Sequence, residues 1–593
     1  MQEAPQLNHV RVDDIPLLIG ILMQMNVPQI YDREIGDHGL HSGLSGGWLF
    51  SVWAVFVLSQ GDHAKSHVME WVRSHAAVLQ QITGQAITAE EFNDTRLGRV
   101  LSRVSRGTGW DRFEAALWAH GVTVYELEEP SVGGLISAMA DSTTAYGYHE
   151  SSAEGVMQRG YSKDHRADLP QLKLMTMSVH PHGLWIATQV EDGNTADDGL
   201  YVPLIERTRS ILGHTGVLYV GDSKMAALAT RGHIAARGDY YLTVAPHTGE
   251  TAAQLAQWIE DGLDEKAPSE TLHDAAGEDI GKGYEFSREC RAEVPLGVRG
   301  GLRQVIWNER VQVIRSDALM AQQAQTLERH LSNAEDRLRA LNQTRGRGHR
   351  RLSTQAEFDT AVQTILDEAG VSDLLHVMPH IETHTQMCQI GPGRRSPNRP
   401  LHEVTESRYT VDHIERDSAA IQKRVARLGW RVQLTNAPAH LSLNTCVLHY
   451  RANWLGERNY HWLKDQPIGI TPLWVHNDDQ IIGLTYLLTL CTRVLSLLEL
   501  QARRGLKREG ATLIGLNVAA PNQTTDHPTA LAILKAIARM EITLTCIVWQ
   551  GKEALHLTAL PPTLVQILRY LHLSTTLYEN LAISTSPNSS VIT

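Results

Sequence analysis

Two aspartates stand where a strand could deliver a carboxylate into a site. Asp141 follows a short apolar run in "AMADSTTAYG", and Asp222 ends the buried-looking strand of "VLYVGDSKMA" just before a helix start. A carboxylate at the end of a strand can bind a cation or take part in proton transfer. The same pattern also describes an ordinary N-cap or turn aspartate, so neither residue is diagnostic by itself.

A third carboxylate lies in "YRANWLGERNYHWLKD", residues 450–465. Read as one helix, this segment places Glu457 in a narrow stripe with Tyr450, Trp454, His461 and Lys464. A carboxylate held among aromatic side chains needs a cation or a metal as partner. The alternative is a solvent-facing glutamate paired with a nearby Arg or Lys.

Together, Asp141, Asp222 and Glu457 predict an oxygen-rich site for Mg²⁺, a hard ion that prefers carboxylates, water and phosphate oxygens. Two such ions about 4 Å apart can activate a water or a 3′-hydroxyl and stabilise the leaving oxygen of a phosphodiester.

The elements that must position these residues can be read from the hydrophobic pattern. Residues from about 10 to 125 read as helices, and "ELEEPSVGG" (126–134) reads as a linker. Short strands follow at 135–141, 172–179, 183–190, 217–222 and 240–245, with a helix over 197–212 before the fourth strand. This order predicts a mixed sheet flanked by helices.

The pattern changes again after residue 250. Strand-like alternation occupies 302–316, a helix is predicted over 318–343, and a further strand and turn over 429–438. After 465 the chain reads as mainly helical, with an exposed loop at 517–529 and a disordered tail from about 582. The apolar run 482–500 is long enough to cross a bilayer, but Arg493 and Glu499 interrupt it, which favours a buried helix in a large core.

Composition limits the class of protein. With 593 residues, 42% of them hydrophobic and 20% charged, the chain is predicted to fold into two to four domains. Its five cysteines form no CxxC pair, which favours a reducing cytoplasm over a disulfide or zinc framework. The net charge of −12 argues against unselective coating of nucleic acid but not against a nucleic-acid enzyme, because local patches set the local field.

Three local patterns need an interpretation of their own. Two segments are rich in arginine, 337–352 and 393–400; for the first, a solvated loop and a DNA-backbone contact are equally consistent with the sequence. His376, His380 and His384 have the spacing of a helical zinc site, but Pro379 disturbs any helix, so we interpret them as a coincidence.

The segment 450–465 resembles the signature of a known family. In the DDE-type insertion-sequence transposases of the Y-R-E-K (IS-four-like) group, the catalytic helix carries Tyr, two residues, Arg, three residues, Glu, six residues and Lys. Tyr450, Glu457 and Lys464 match that spacing, whereas Asn453 stands at the arginine position and Arg451 lies nearby. Further stretches are similar to the family in the expected order: "DSTTAYGY", "GYSKDHRADLPQLKL", "EDGNTADD", "YVGDSKM", "GWRVQLTN" and "PIGITPLWV".

The resemblance covers nearly the whole chain and implies an α/β fold with an RNase H-like catalytic core, a large insertion subdomain and a helical N-terminal domain. It implies a DNA-binding N-terminal domain at 1–128, a first core part at 129–250 and the insertion at 251–430. The second part of the core, with the helix that carries Glu457 and the helices after it, would occupy 431–515. A C-terminal helical region would occupy 516–593.

By the same resemblance, Asp141, Asp222 and Glu457 would bind two Mg²⁺ ions, or Mn²⁺, while Tyr450, Arg451 and Lys464 would contact DNA. The implied activity is excision and insertion of a DNA element by hydrolysis and strand transfer. The implied partners are the terminal inverted repeats and target DNA, with a homodimer in the synaptic complex, no membrane, and a bacterial cytoplasmic, nucleoid-associated location. Two alternatives stay open: an RNase H-like nuclease without strand transfer, and an inactive DNA-binding protein derived from a transposase.

Overall fold

A computed structural model describes most of the chain, in two compact units. The described residues are 6–37, 42–127, 132–150, 154–246, 250–264, 268–295, 301–343, 352–390, 400–452, 454–517, 519–549 and 552–583. The first unit comprises Met1–Thr243, Glu289–Glu309 and Thr435–Thr593, and the second comprises Val244–Arg288 and Arg310–Leu434. The domain boundaries given above stay predictions.

The N-terminal part of the first unit is helical, as the sequence predicts. Its elements are β1 (Gln6–Arg11), α1 (Ile15–Gln24), α2 (Val27–Glu34), α3 (Gly46–Gln60), α4 (Lys65–Thr83), α5 (Asp94–Val104) and α6 (Gly109–Val124). α3 is buried along almost its whole length, so it is apolar on every side. α5 is strongly amphipathic, and the Asn93 side chain caps it by accepting a hydrogen bond from the Arg96 N–H at 3.0 Å.

The sheet of the first unit follows. Its elements are β2 (Ser137–Tyr146), β3 (Gln171–His180), β4 (Leu184–Asp192), α7 (Tyr201–Leu212), β5 (Leu218–Gly221), α8 (Leu228–Ala236) and β6 (Tyr240–Val244). The strands lie in the order β4-β3-β2-β5-β6. β2, β3 and β4 are antiparallel neighbours, whereas β2–β5 and β5–β6 are parallel. α6 and α7 pack against β4, so the mixed sheet flanked by helices is confirmed.

The second unit combines strands and helices around its own core. Its elements are α9 (Glu250–Leu263), β7 (Glu270–His273), β8 (Asp279–Pro295) as far as Arg288, β9 (Leu302–Ser316) from Arg310 onward, α10 (Asp317–Ala340), α11 (Gln355–Ala369), β10 (Leu375–Gln389), β11 (Leu401–Arg416), α12 (Ser418–Ala426) and β12 (Trp430–Thr435). The remaining parts of β8 and β9 belong to the first unit. α10 buries Leu327, Leu331 and Leu338 against Phe358 of α11. The helix predicted over 318–343 is therefore confirmed as a helix that packs into a core. β10 and β11 form a mostly exposed antiparallel pair.

The first unit resumes with α13 (Leu443–Arg451), α14 (Trp454–Lys464), α15 (Asp478–Glu509), β13 (Leu513–Ile514), β14 (Thr524–Thr525), α16 (Ala530–Arg539), β15 (Thr543–Trp549), β16 (Lys552–Leu557), α17 (Pro562–Tyr570) and α18 (Thr576–Glu579). α15 is long and apolar enough to cross a membrane, but 89% of its apolar window is buried inside the protein. It is the buried core helix that the sequence predicts.

The two charged residues that interrupt the apolar run of α15 are both neutralised inside the core. Arg493 pairs with the buried Glu114, which also pairs with Arg207 and accepts a hydrogen bond from the Thr188 hydroxyl at 2.7 Å. Glu499 accepts from Arg458 at 2.6 Å. Buried charges persist only with such partners, which is why these residues do not expel the helix from the core.

Candidate active site

Asp141 and Asp222 lie at matching positions on two neighbouring parallel strands. In the β2–β5 pairing, Ser137 is opposite Leu218 and Met139 is opposite Val220. The same offset, continued past the end of β5, brings Asp141 opposite Asp222. Adjacent strands are about 4.8 Å apart, and residues in register point to the same face, so both carboxylates lie side by side on one face of the sheet.

The prediction that Asp141 ends its strand is wrong, because Asp141 lies in the middle of β2. The strand continues to Tyr146 because the segment after Asp141 is rich in Thr and Ala, which pair with β3 and are buried there. Asp141 is directly opposite Thr176 of β3. Asp222 does immediately follow its strand, as predicted.

α14 covers the same face of the sheet. The Tyr460 hydroxyl lies 2.6 Å from the hydroxyl of Thr176, the residue opposite Asp141. Glu457, three residues before Tyr460, is on the exposed side of this helix. The three predicted carboxylates therefore belong to one region of the first unit.

Electrostatics links the three carboxylates. Burial is the main cause that raises the pKa of Asp141 to about 6, and the neighbouring charges of Asp222 and Glu457 add smaller contributions in the same direction. The Lys163 ammonium and the Ser142 N–H, which donates to Asp141 Oδ1 at 2.7 Å, oppose this rise in pKa. A buried carboxylate with two like-charged neighbours is a group that gains from a bound cation.

Asp222 is held by two donors. The Tyr201 hydroxyl donates to Asp222 Oδ1 at 2.7 Å, and the Lys224 backbone N–H donates to the same oxygen at 2.9 Å. Burial and the Asp222 charge raise the pKa of Tyr201, so this hydroxyl keeps the proton that it donates to the carboxylate. Tyr201 thereby orients a candidate ligand.

Lys163 is a functional candidate that the sequence analysis did not single out. Its ammonium donates to the Ser142 carbonyl and hydroxyl oxygens, both at 2.7 Å, and its charge acts on Asp141. The only sequence signal was its place within the family-like stretch "GYSKDHRADLPQLKL". Lys464, predicted to contact DNA, forms an ion pair with Asp164.

The single stripe predicted over 450–465 is wrong, because the segment forms two helices. α13 ends at Arg451 and α14 begins at Trp454, and Asn453 lies outside the described residues. The two helices pack into different cores: Tyr450 packs against the cluster of Met139, Leu218 and Val220, whereas Trp462 and Leu463 enter the main core. Tyr450 is thus partly buried, and Arg451 is exposed.

The donor set suits a hard cation, because Asp141, Asp222 and Glu457 offer only carboxylate oxygens. Their side chains do not converge on one point. Throughout the described ranges, no three His, Cys, Asp or Glu side chains form a ready-made metal cluster. Asp222 is engaged with Tyr201, and Glu457 is exposed, so metal binding would require these side chains to reorient.

The other predicted patterns have simpler outcomes. His376, His380 and His384 lie on the strand β10, where four residues span about 13 Å, too far for His380 and His384 to share one ion. Arg337 pairs with Glu368 on the surface of the second unit. The described residues do not include 344–351 of the first arginine-rich segment. They also omit nearly all of the second segment, 393–400.

No family model and no curated protein matches the chain. Among solved structures, it is similar to the cryo-EM structure of a piggyBac transposase synaptic complex with hairpin DNA, at 10% sequence identity and a TM-score of 0.24. The similarity covers 51% of this chain and 63% of that chain. At so low a TM-score it carries no argument about fold or function.

Proposed function

We propose that this protein is a DDE-type transposase with an RNase H-like core, of the Y-R-E-K group. The proposal rests on one observation above all: the β2–β5 register brings Asp141 beside Asp222 on the face of the sheet that α14, with Glu457, covers. The family-like stretches along the sequence supply the reaction class.

In this proposal Asp141, Asp222 and Glu457 hold the metal ions. Bound Mg²⁺ or Mn²⁺ would supply Lewis acidity to the attacking and leaving oxygens of a phosphodiester. Asp141, with a pKa of about 6, is ionised above neutral pH and so available as a ligand there. Tyr201 and the Lys224 N–H fix the orientation of Asp222.

The reaction has two steps on this site. A water oxygen first attacks phosphorus at the element end, and the P–O3′ bond breaks to release a 3′-hydroxyl. That hydroxyl then attacks a phosphodiester of target DNA, forms a new P–O bond and releases the 3′-hydroxyl of the target strand. Tyr450, Arg451 and Lys464 are proposed to contact DNA, with Lys464 exchanging Asp164 for a phosphate.

The remaining parts of the proposal are the terminal inverted repeats and target DNA as partners, a homodimer in the synaptic complex, and a cytoplasmic location. The inverted repeats would flank the reading frame in its genome.

The decisive experiment incubates the chain and Mg²⁺ with DNA that carries the flanking repeats, and separates nicked from joined products. Wild type is expected to give joined products, and Asp141→Asn, Asp222→Asn and Glu457→Gln are expected to give none. Asp336→Asn, an exposed carboxylate on α10, is the matched control. Full cleavage by the triad variants would refute the site, nicking without joining would favour the nuclease, and binding without cleavage would favour the inactive DNA-binding protein.

A further inference from the structure

α5 presents a row of arginines on one face. Arg96, Arg99 and Arg103, with Arg106 just beyond the helix end, are spaced by three, four and three residues, which places them on the same side. The opposite side of α5 is buried in the main core through Leu97, Val100, Leu101 and Val104. Core packing therefore fixes the direction in which the arginines point.

These four arginines line a cleft of about 890 Å³, here called the arginine cleft. Asp37 and Asp94 are the acidic residues among its described lining, so four positive charges face two negative ones. Ser42, Thr95, Ser102 and Gln480 add neutral polar groups. Among these lining residues positive charges outnumber negative ones, although the net charge of the whole chain is −12.

The arginines are not all neutralised by the protein. Arg106 pairs with Asp479 at 2.9 Å, and Arg96 pairs with Glu91. Arg103 donates to the Gly36 carbonyl at 3.1 Å rather than to a carboxylate. Arg99 is exposed, and neither it nor Arg103 has a carboxylate partner within the described part of the chain. Both guanidinium groups therefore have N–H donors that no carboxylate of the described residues accepts from.

We propose that the arginine cleft binds phosphodiester groups of the DNA backbone. Guanidinium groups pair with phosphate oxygens through two parallel N–H donors, which suits an anion of this shape. From Arg96 to Arg103 the row spans about 10 Å along the helix, at about 1.5 Å per residue, and so matches more than one phosphate of a DNA strand better than a single anion. This inference rests on the proposed function for its choice of DNA, because a free phosphate offers the same oxygens.

The test measures binding of the full chain to a fluorescent DNA duplex across a salt series, with EDTA present so that no cleavage occurs. Arg99→Gln with Arg103→Gln is the test variant. Arg33→Gln with Arg73→Gln changes the net charge equally at two exposed arginines outside the cleft and is the matched control. Arg99→Gln alone keeps the test valid if loss of the Arg103–Gly36 bond impairs folding, and Arg99→Lys tests whether charge suffices.

In the double variant, the slope of log K against log salt concentration is expected to fall by about 0.9 for each lost phosphate contact, and affinity by about tenfold or more. The control should keep the wild-type slope. An unchanged slope in the cleft variants would overturn the inference.

A second arm separates the two phosphate sources. Inorganic phosphate is titrated at constant ionic strength while the thermal midpoint is measured. If phosphate stabilises wild type but not the cleft variant, and DNA affinity is equal in both, the cleft takes free phosphate and the DNA assignment is wrong.

Failure of this inference and failure of the proposed function give different results. If the cleft variants have a reduced salt slope but wild type never cleaves repeat-bearing DNA, the proposed transposase function is wrong and the arginine cleft still binds DNA. If wild type cleaves and joins DNA but the cleft variants keep the wild-type slope, the proposed function holds and the inference about the cleft is wrong.

Discussion

Replacing Asp141 with Asn should stabilise the metal-free protein at neutral and alkaline pH. The folded-state pKa of Asp141 is raised from 3.8 to about 6, chiefly by burial. A raised carboxyl pKa means that the native state binds the proton more tightly than the unfolded state. Stability is therefore lost as pH rises from the unfolded pKa to the folded one.

The size of the effect follows from the shift. A difference of about two pKa units corresponds to about 3 kcal/mol, fully expressed above pH ~7 and absent below pH ~4. Asn is isosteric, and its carbonyl oxygen can keep the 2.7 Å hydrogen bond from the Ser142 N–H. Asp141→Asn should thus gain up to about 3 kcal/mol over wild type at pH ~8 but nothing near pH ~4.

The assay is urea denaturation in EDTA at several pH values, followed by a repeat with Mg²⁺. Mg²⁺ should stabilise wild type by mass action and leave the stability of Asp141→Asn unchanged. The difference in the free energy of unfolding between the two proteins should therefore become smaller or change sign. Asp336→Asn is the control and should show neither effect. A stability difference between Asp141→Asn and wild type that does not depend on pH would refute the reasoning about burial and like charges.

Three further substitutions test the surroundings of the site and the core. Lys163→Gln removes the cation that lowers the pKa of Asp141, so that pKa should rise by about one to three units. The same denaturation series measures this rise as a shift in the pH at which the ionisation of Asp141 destabilises the fold. Tyr201→Phe removes the donor to Asp222 and should lower the Mg²⁺-dependent cleavage rate about 10–100-fold with little change in thermal midpoint. Glu114→Gln leaves the buried Arg493 guanidinium without a carboxylate and Arg207 with Asp111 alone, and should destabilise the fold by about 3–5 kcal/mol in urea denaturation.

The Lys163 and Glu114 predictions each have a matched control. Lys423→Gln, at an exposed lysine on α12, should leave the pH at which Asp141 ionisation destabilises the fold unchanged. Glu70→Gln, an exposed carboxylate on α4, should cost far less stability than Glu114→Gln. A Tyr201→Phe variant with full cleavage would show that the backbone N–H alone orients Asp222.

The elements around the site were largely predictable from local pattern. The predicted strands at 172–179, 183–190 and 240–245 correspond closely to β3, β4 and β6, and the predicted buried helix over 482–500 lies within α15. Each carries a run of apolar residues that the fold buries, so the local pattern is enough to recognise it. Asp222 could be placed at a strand end for the same reason, since "VLYVG" can be little other than a buried strand.

The sequence by itself determined which residues are acidic, aromatic or basic and in which kind of element most of them lie. Only the tertiary structure decided that Asp141 is in mid-strand, that it lies opposite Asp222, and that Tyr450 and Glu457 belong to different helices. Strand register depends on pairing between segments about 80 residues apart, and whether Tyr450 and Trp462 pack into the same or different clusters depends on the rest of the fold. The pairing of Lys464 with Asp164 and the approach of Lys163 to Asp141 are likewise contacts across the fold, and no local pattern encodes them.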